Sequence, residues 1–311
     1  MTIARGLVGL LALAVAIWVW ATRGDVLLAG HPAYPILTGL VGVIGLVMIA
    51  GMILRRRVVD PARRGRRLRL AGRIVGLLGV ALLAVMTAWL RPFAATADAA
   101  ALMGGTNAVA VESDWSTVTL TPRDKTQGVG LIFQPGARVD PRAYLPLLTR
   151  VAEAGHLVVI VKQPLDIGLM AIGAPSGIVA RHPGVAKWVV GGHSLGGVAA
   201  SQYAVEPRPD IGGLLLWAAY PLDSLAGRED VLVTSVSGTA DGLSTPVDIE
   251  ASRHELPSTA TFVAINGGVH AFFGDYGQQP GDGTPTASRA AAQDQIVEAT
   301  LDLLARIEGA G

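Results

Sequence analysis

The sequence predicts an α/β domain with a mostly parallel sheet, preceded by about three transmembrane helices. Apolar stretches of helical length fill the first third of the 311-residue chain. After them, short apolar runs alternate with segments of helical spacing, which is typical of a parallel sheet covered by helices on both faces. Hydrophobic residues make up 51% of the chain, more than a soluble protein normally carries.

The first third is predicted to be a membrane region, residues 1–92, with helices over about 3–21, 34–54 and 74–90. Roughly 20 apolar residues cross a bilayer as a helix. The third stretch is short, but Arg73 and Arg91 flank it and can reach the two headgroup regions.

Charge predicts the orientation of these helices. Residues 1–93 contain 12 Arg and 2 Asp, whereas the remainder contains 13 Lys and Arg against 22 Asp and Glu. Nine of the arginines lie in the loop 55–73, which is therefore expected in the cytoplasm. We expect the protein in the cytoplasmic membrane, with the N-terminus on the cytoplasmic side and everything after Leu90 on the outer side. The arginine loop is typical of a topology signal that contacts membrane lipid, and we expect no nucleic-acid partner.

Residues 93–107 are small and polar and are predicted to form a linker to a domain over 108–311. Within this linker Ala95-Thr96-Ala97 resembles a signal-peptidase site, and cleavage there would release the domain.

The domain opens with two alternating segments that predict paired edge strands, and buried strands follow. The predicted strands are NAVAVE, WSTVTLTP, GVGLIFQPG, HLVVIVK, AKWVVGG, IGGLLLWAAY, DVLVTSVSG and TATFVAING. The predicted helices cover about 141–155, 167–180, the segment after Ser194, 247–254 and 288–307. Ligands of such sheets bind beyond the carboxyl ends of the strands, so residues there are the candidates for chemistry.

Ser194 stands at the carboxyl end of one such strand, within the pattern Gly192-His193-Ser194-Leu195-Gly196. A strand that turns sharply into a helix crowds its own backbone, and the elbow glycines Gly192 and Gly196 relieve that crowding. The turn exposes the serine hydroxyl, which predicts Ser194 as a nucleophile rather than an ordinary turn residue.

A serine nucleophile needs a base, and the base needs an acceptor that fixes its tautomer. Of six histidines, His270 follows the last predicted strand on a glycine-bearing loop. Asp241 follows the preceding strand and precedes His270, although Asp-Gly is also a common turn. The order Ser194, Asp241, His270 favours a catalytic triad, with Asp223, Asp230 and Asp248 as alternative acids.

The oxyanion of such a reaction needs two backbone N–H donors. One is predicted at Leu195, which begins the helix after the nucleophile. The other is predicted at Ala137, in the loop after the first long central strand.

These segments resemble the α/β-hydrolase superfamily and, within it, the small dienelactone-hydrolase-like branch with a serine nucleophile. The resemblance covers most of 129–283 and runs through FQPGARVDPRAYLPLLTRVAEAGHLVVIVKQPL, WVVGGHSLGG, SGTADGLSTP and INGGVHAFFGDYGQQPGDG. It implies an α/β-hydrolase fold and the triad Ser194, Asp241 and His270. The chain departs from many relatives at Gln134-Pro135-Gly136-Ala137, where a His-Gly or double-Gly stretch is usual. The membrane third has no counterpart in this resemblance.

About ten residues separate LLLWAAY from DVLVTSV, which leaves no room for a large helical cap. We expect an open substrate pocket walled by residues 164–183 and by Phe272, Phe273 and Tyr276. The sequence calls for no metal and no cofactor, and with no cysteine it excludes thiolate sites and disulfides.

The functional prediction is a membrane-anchored serine hydrolase, carboxylesterase-like, acting on a small-molecule or lipid-like ester. Thioesterases, amidases and acyltransferases share this machinery. The alternative from another class is an inactive hydrolase-fold module that binds a ligand or assembles at the membrane.

Overall fold

The computed structural model describes residues 2–54, 66–124 and 128–310. The chain forms two compact units, Met1–Pro92 and Phe93–Gly311.

The first unit consists of long apolar helices: α1 (Thr2–Ala29), α2 (Ala33–Ile53) and α3 (Arg66–Trp89). Among the described residues, Ile3–Ala29, Ala33–Ile53 and Leu68–Trp89 are long and apolar enough to cross a membrane. The 22 residues of the last segment extend about 33 Å, enough for a hydrocarbon core of about 30 Å. α3 is longer than predicted because the helix continues back through the arginines before residue 74.

α1 also passes the predicted end at residue 21, and its helical backbone is interrupted at Arg23, where φ is −145°. α1 and α2 approach closely at glycines, since a Cβ on Gly45 would lie 2.7 Å from Gly9 O. The arginine-rich loop lies outside the described residues over 55–65.

The second unit has strands β1 (Val109–Ser113), β2 (Thr117–Pro122), β3 (Val129–Gln134), β4 (Val158–Val161), β5 (Lys187–His193), β6 (Ile211–Trp217), β7 (Leu232–Gly238) and β8 (Thr261–Ile265). Within the described residues they form one eight-stranded sheet in the order β1-β2-β4-β3-β5-β6-β7-β8. β1 and β2 pair antiparallel at one edge, and the strands from β4 to β8 pair in parallel. The predicted α/β class with a mostly parallel sheet is thereby confirmed.

Helices cover the sheet: α4 (Ala97–Ala101), α5 (Leu145–Glu153), α6 (Ala174–Arg181), α7 (Leu195–Ala204), α8 (Pro246–Ala251) and α9 (Arg289–Ala310). α5 and α9 contribute to a core on one face of the sheet, and α6 and α7 to a core on the other. Buried apolar strands such as VGLIFQ in β3 hold the two cores together because both of their faces are covered.

The sequence predicted a linker over 93–107, whereas the structure places these residues within the second unit, which begins at Phe93. Phe93 bridges to Val139, and the Thr96 amide donates to the Asp275 carbonyl. Thr96 also caps α4 by accepting from the Ala99 amide. Small alanines here form a short packed helix rather than a free connection.

Candidate active site

Ser194 occupies a sharp turn between β5 and α7, with φ 52° and ψ −126°. A non-glycine residue pays a steric cost in this region of backbone space, and packing must hold it there. A Cβ on Gly196 would lie 2.0 Å from Gln134 O, and one on Gly192 would lie 2.5 Å from the same oxygen. A side chain at either position would collide with backbone in this turn.

Asp241 and His270 are joined by a buried hydrogen bond of 2.8 Å between Oδ2 and Nδ1. The other carboxylate oxygen, Oδ1, accepts from the amides of Leu243 and Ser244, both at 2.8 Å. These bonds fix the carboxylate, and an acceptor at Nδ1 keeps the proton of a neutral His270 on that nitrogen. Nε2 is then the basic nitrogen.

His270 lies beside the elbow, because its ring centroid is 4.5 Å from that of His193, the residue before Ser194. Nε2 of His270 is buried and has no hydrogen-bond partner among the residues the structure describes. The bond from Ser194 Oγ that would complete a triad is therefore not formed. Such bonds are often long or misaligned without substrate and tighten on binding.

The alternative acids have other partners. Asp223 accepts from Gln202, Asp230 pairs with Arg228, and Asp248 forms the capping box of α8 with Thr245. None of these contacts involves His270, whereas Asp241 contacts it directly.

Asp282 is a site residue that the sequence reasoning missed. Its carboxylate accepts from the amides of Gly242, His270, Ala271 and Gly283, at 3.3, 3.1, 2.8 and 2.8 Å. It thereby ties the loop of Asp241 to the loop of His270. The flanking glycines in GDG were the available signal, since they let the backbone approach a carboxylate closely.

Tyr144 and His193 form a second missed pair. The Tyr144 hydroxyl lies 2.9 Å from His193 Nδ1 and accepts from the Gly136 amide at 2.8 Å. Burial, followed by the neighbouring His270, lowers the pKa of His193 well below its ordinary value. Burial likewise raises the pKa of the Tyr144 hydroxyl. Both groups are thus neutral at physiological pH.

Ala137 lies in the turn after β3, three residues beyond Gln134, which pairs with Gly192. The neighbouring amides of Gly136, Arg138 and Val139 donate to Tyr144, Asp166 and Gly136 respectively, and Pro135 has no N–H. Arg138 has φ 62°, so the turn is held in an uncommon conformation.

Phe272, Phe273 and Tyr276, predicted to line the substrate pocket, are largely buried. Phe273 stacks on His193 at 5.7 Å, the Arg289 guanidinium lies 4.7 Å from the Phe272 ring, and the Tyr276 hydroxyl donates to Gln279. Phe273 and Tyr276 thus pack against His193, and the contact of all three rings with substrate stays a prediction.

The rim of the site is apolar. Residues 218–231, all of which the structure describes, contain no helix, so no cap rises between β6 and β7. The connections that follow β4, β6 and β7 expose large apolar side chains: Leu169, Met170, Leu222, Leu243 and Val247.

Comparisons with known proteins agree with this fold. The model of the alpha/beta hydrolase family matches residues 130–294. A crystal structure from Klebsiella pneumoniae, provisionally assigned as a dienelactone hydrolase, has a TM-score of 0.50 at 18% identity, covering 64% of this chain and 100% of its own.

Two further solved structures are similar at lower scores. A thermophilic esterase from Thermogutta terrifontis has a TM-score of 0.46 at 15% identity, covering 65% of this chain and 93% of its own. An alpha-beta serine hydrolase homologue from Coxiella burnetii has a TM-score of 0.43 at 15% identity, covering 62% and 97%. Comparison with curated protein sequences gave no match.

The family model spans more than half of the chain, including the elbow, Asp241, His270 and Asp282. The mostly parallel sheet and the flanking helices agree with it. This protein belongs to the alpha/beta hydrolase family.

Proposed function

We propose that the protein is a membrane-anchored serine hydrolase that cleaves an ester-like acyl bond through Ser194, His270 and Asp241. The observation that carries the proposal is the buried 2.8 Å hydrogen bond between Asp241 and His270, beside the strained elbow of Ser194. An oriented base next to a half-buried serine on a strand-to-helix turn is the arrangement that acyl transfer requires.

In the first half of the reaction, Ser194 Oγ attacks the acyl carbon while its proton moves to His270 Nε2. The C=O π pair moves to oxygen, and the amides of Leu195 and Ala137 donate to that oxyanion. When the oxyanion collapses, the bond to the leaving alcohol breaks and His270 returns the proton to it. The product at this stage is an acyl-Ser194 ester.

In the second half, water attacks the acyl carbon and gives its proton to His270 Nε2. The second oxyanion collapses, the Ser194 ester bond breaks, and His270 returns the proton to Oγ, releasing the carboxylic acid. Asp241 stabilises the imidazolium each time it forms. Each oxyanion donor contributes about 2.7–4 kcal/mol to lowering the barrier.

The apolar rim supports an ester that carries a hydrophobic group, small or lipid-like. The exposed leucine, methionine and valine side chains on the connections after β4, β6 and β7 favour binding of apolar substrate surface, at about 25 cal/mol per Å² buried. Carboxylesters are the first choice, and thioesters and amides use the same residues.

The membrane part of the proposal is supported by the apolar helices and by the arginines between α2 and α3. They favour an integral protein of the cytoplasmic membrane with the N-terminus inside and the catalytic unit outside. Because the chain has no cysteine, a single Glu298→Cys variant tests this. An impermeant maleimide should label it in intact cells, and a cysteine in loop 55–65 only after permeabilisation. The reverse pattern would contradict the topology.

Fluorophosphonate labelling of the full chain in detergent micelles tests the chemistry. The parent should be labelled, Ser194→Ala should not, and His270→Ala should react about 10²–10⁴-fold more slowly. His254→Ala is the matched control, because His254 is exposed and pairs with Glu255 away from the site. Equal labelling of parent and Ser194→Ala would exclude this nucleophile.

A second candidate is an inactive binding module with the same fold. The observation that favours it is the unformed hydrogen bond between Ser194 and His270. A folded parent that neither reacts with fluorophosphonates nor hydrolyses any ester would support it.

A further inference from the structure

The two proposed oxyanion donors come from different parts of the chain. Leu195 begins α7 after the elbow, and Ala137 lies in the turn after β3. One oxygen must meet both amides, and productive geometry tolerates errors of about 0.5 Å. Something must therefore fix the distance between the elbow and this turn.

The sheet does not fix it directly. β3 and β5 pair up to Gln134 and Gly192, and both donors lie beyond that last pair. Beyond that pair one segment enters a turn and the other a helix, and the backbone contact between them is that of Gly196 with the carbonyls of Gln134 and Pro135, which lie before Ala137.

A buried side-chain bridge continues where the sheet ends. The Gly136 amide donates to Tyr144 Oη at 2.8 Å, and Tyr144 Oη lies 2.9 Å from His193 Nδ1. Gly136 immediately precedes Ala137, and His193 is two residues before Leu195. The bridge thus joins backbone next to one donor to backbone next to the other.

The direction of the bridge follows from the proton count. Tyr144 has one hydroxyl proton and already accepts from Gly136, so donating that proton to His193 Nδ1 satisfies the Gly136 amide, the Tyr144 hydroxyl and Nδ1, while the buried His193 Nε2 has no partner among the residues the structure describes. His193 must then be neutral, with its own proton on Nε2. The lowered pKa of the buried His193 agrees with this assignment.

The bridge is also tightly packed. A Cβ on Gly136 would lie 2.8 Å from His193 Nδ1 and 3.1 Å from Tyr144 Oη. Tyr144 is fully buried, with Phe133 4.9 Å from its ring centroid, and His193 stacks on Phe273. Neither side chain has room to swing away.

We propose that Tyr144 and His193 are positioning residues that set the spacing of the two oxyanion donors, Leu195 and Ala137. This rests on the proposed function, because spacing matters only where an oxyanion forms. Neither residue touches the substrate or transfers a proton in the reaction.

Tyr144→Phe in the full chain, purified in detergent micelles, tests the bridge, because it removes one oxygen and keeps the ring. With a p-nitrophenyl ester we expect kcat to fall about 10–100-fold while KM changes less than about threefold, since the oxyanion exists only in the transition state. The affinity for an alkyl boronic acid, whose tetrahedral adduct mimics the oxyanion, should fall by the same factor.

Tyr203→Phe is the matched control. Tyr203 is a buried tyrosine late in α7, and its hydroxyl bonds to Ser176. It should lose no kcat and no boronic acid affinity. If Tyr144→Phe keeps kcat and boronic acid affinity within twofold of Tyr203→Phe, the inference is overturned.

If Tyr144→Phe folds poorly, variants of His193 test the same bridge. His193→Asn keeps an acceptor near the position of Nδ1 and should retain kcat within about fivefold, whereas the kcat of His193→Leu should fall as far as that of Tyr144→Phe. The double variant Tyr144→Phe/His193→Leu should be no worse than either single one, because both break one bridge. Equal kcat in His193→Asn and His193→Leu, or additive losses in the double variant, would contradict the proposal.

Failure of this inference is distinguishable from failure of the proposed function. If the parent hydrolyses esters and the Tyr144 and His193 variants keep the parent activity, only the positioning role of the bridge is refuted. If the folded parent shows no reactivity, the proposed function is refuted, and the positioning role of the bridge is refuted with it.

Discussion

Replacement of Asp241 by asparagine should disable the base without unfolding the protein, and the structure dictates how. Oδ1 of Asp241 accepts two backbone amides, from Leu243 and Ser244, and Oδ2 accepts from His270 Nδ1. Asparagine has one acceptor oxygen, and the two amides will hold it at the Oδ1 position. The NH₂ group then faces His270.

This orientation reverses the tautomer of His270. Facing a donor, Nδ1 must act as an acceptor, and the proton of the neutral ring moves to Nε2. A protonated Nε2 cannot take the proton of Ser194. Loss of the correct tautomer costs about 10⁴-fold in kcat, equivalent to about 5.5 kcal/mol of barrier.

The assay is ester hydrolysis together with thermal unfolding of the same samples. Asp241→Asn keeps its bonds to Leu243 and Ser244, so Tm should stay within a few degrees of the parent while kcat collapses. Asp241→Ala removes all three bonds and should lower both kcat and Tm. An asparagine variant that retains more than a tenth of the parent kcat would refute the assignment of Asp241 as the group that orients His270.

Three other perturbations follow from the contacts described. Asp282→Asn should lower the free energy of unfolding by about 1.5–3 kcal/mol, measured in urea, because the amide cannot accept from all four backbone N–H groups; an unchanged urea midpoint would contradict a stabilising role for these bonds. Gly196→Ala should prevent folding or abolish ester hydrolysis, since its Cβ would lie 2.0 Å from Gln134 O, and a soluble, active variant would contradict the elbow packing. The free energy of unfolding should fall as pH drops below about 6.5, by up to about 1.4 kcal/mol per pH unit from His193. Below that pH the unfolded chain binds a proton on His193, whereas the folded protein does not, because burial lowers the pKa of His193. His193→Asn should therefore flatten the slope of unfolding free energy against pH between pH 7 and 5. Equal slopes in the parent and the variant would refute this prediction.

Local pattern was enough to predict the sheet, and it also singled out the turn at Ser194. Buried parallel strands read as continuous apolar runs, and the glycines around Ser194 answer a steric need that operates within five residues. The triad order placed Asp241 and His270 at neighbouring strand ends, and the structure brings them into contact.

The supporting residues escaped prediction because their partners are distant in sequence. Tyr144 and His193 are 49 residues apart, and Asp282 lies 40 residues from Gly242. No periodic pattern in the sequence indicates such pairs, because they depend on how whole strands and loops are placed in the fold. The ends of α1 and α3 were also missed, because arginine is a good helix former and charge alone does not end a helix.

Two adjacent buried histidines pose an electrostatic problem that their partners resolve. With ring centroids 4.5 Å apart, two imidazolium charges would repel by about 4 kcal/mol at an effective dielectric constant of 20, so both cannot be charged together. The carboxylate of Asp241 stabilises positive charge on His270. The hydroxyl of Tyr144 instead donates a hydrogen bond to His193 Nδ1, which only a ring without a proton on Nδ1 can accept. In the proposed mechanism, the positive charge that forms during acyl transfer therefore belongs on His270. A neutral His193 beside it avoids raising the energy of that imidazolium. His193, next to the proposed nucleophile, would thus serve the proposed reaction by staying uncharged.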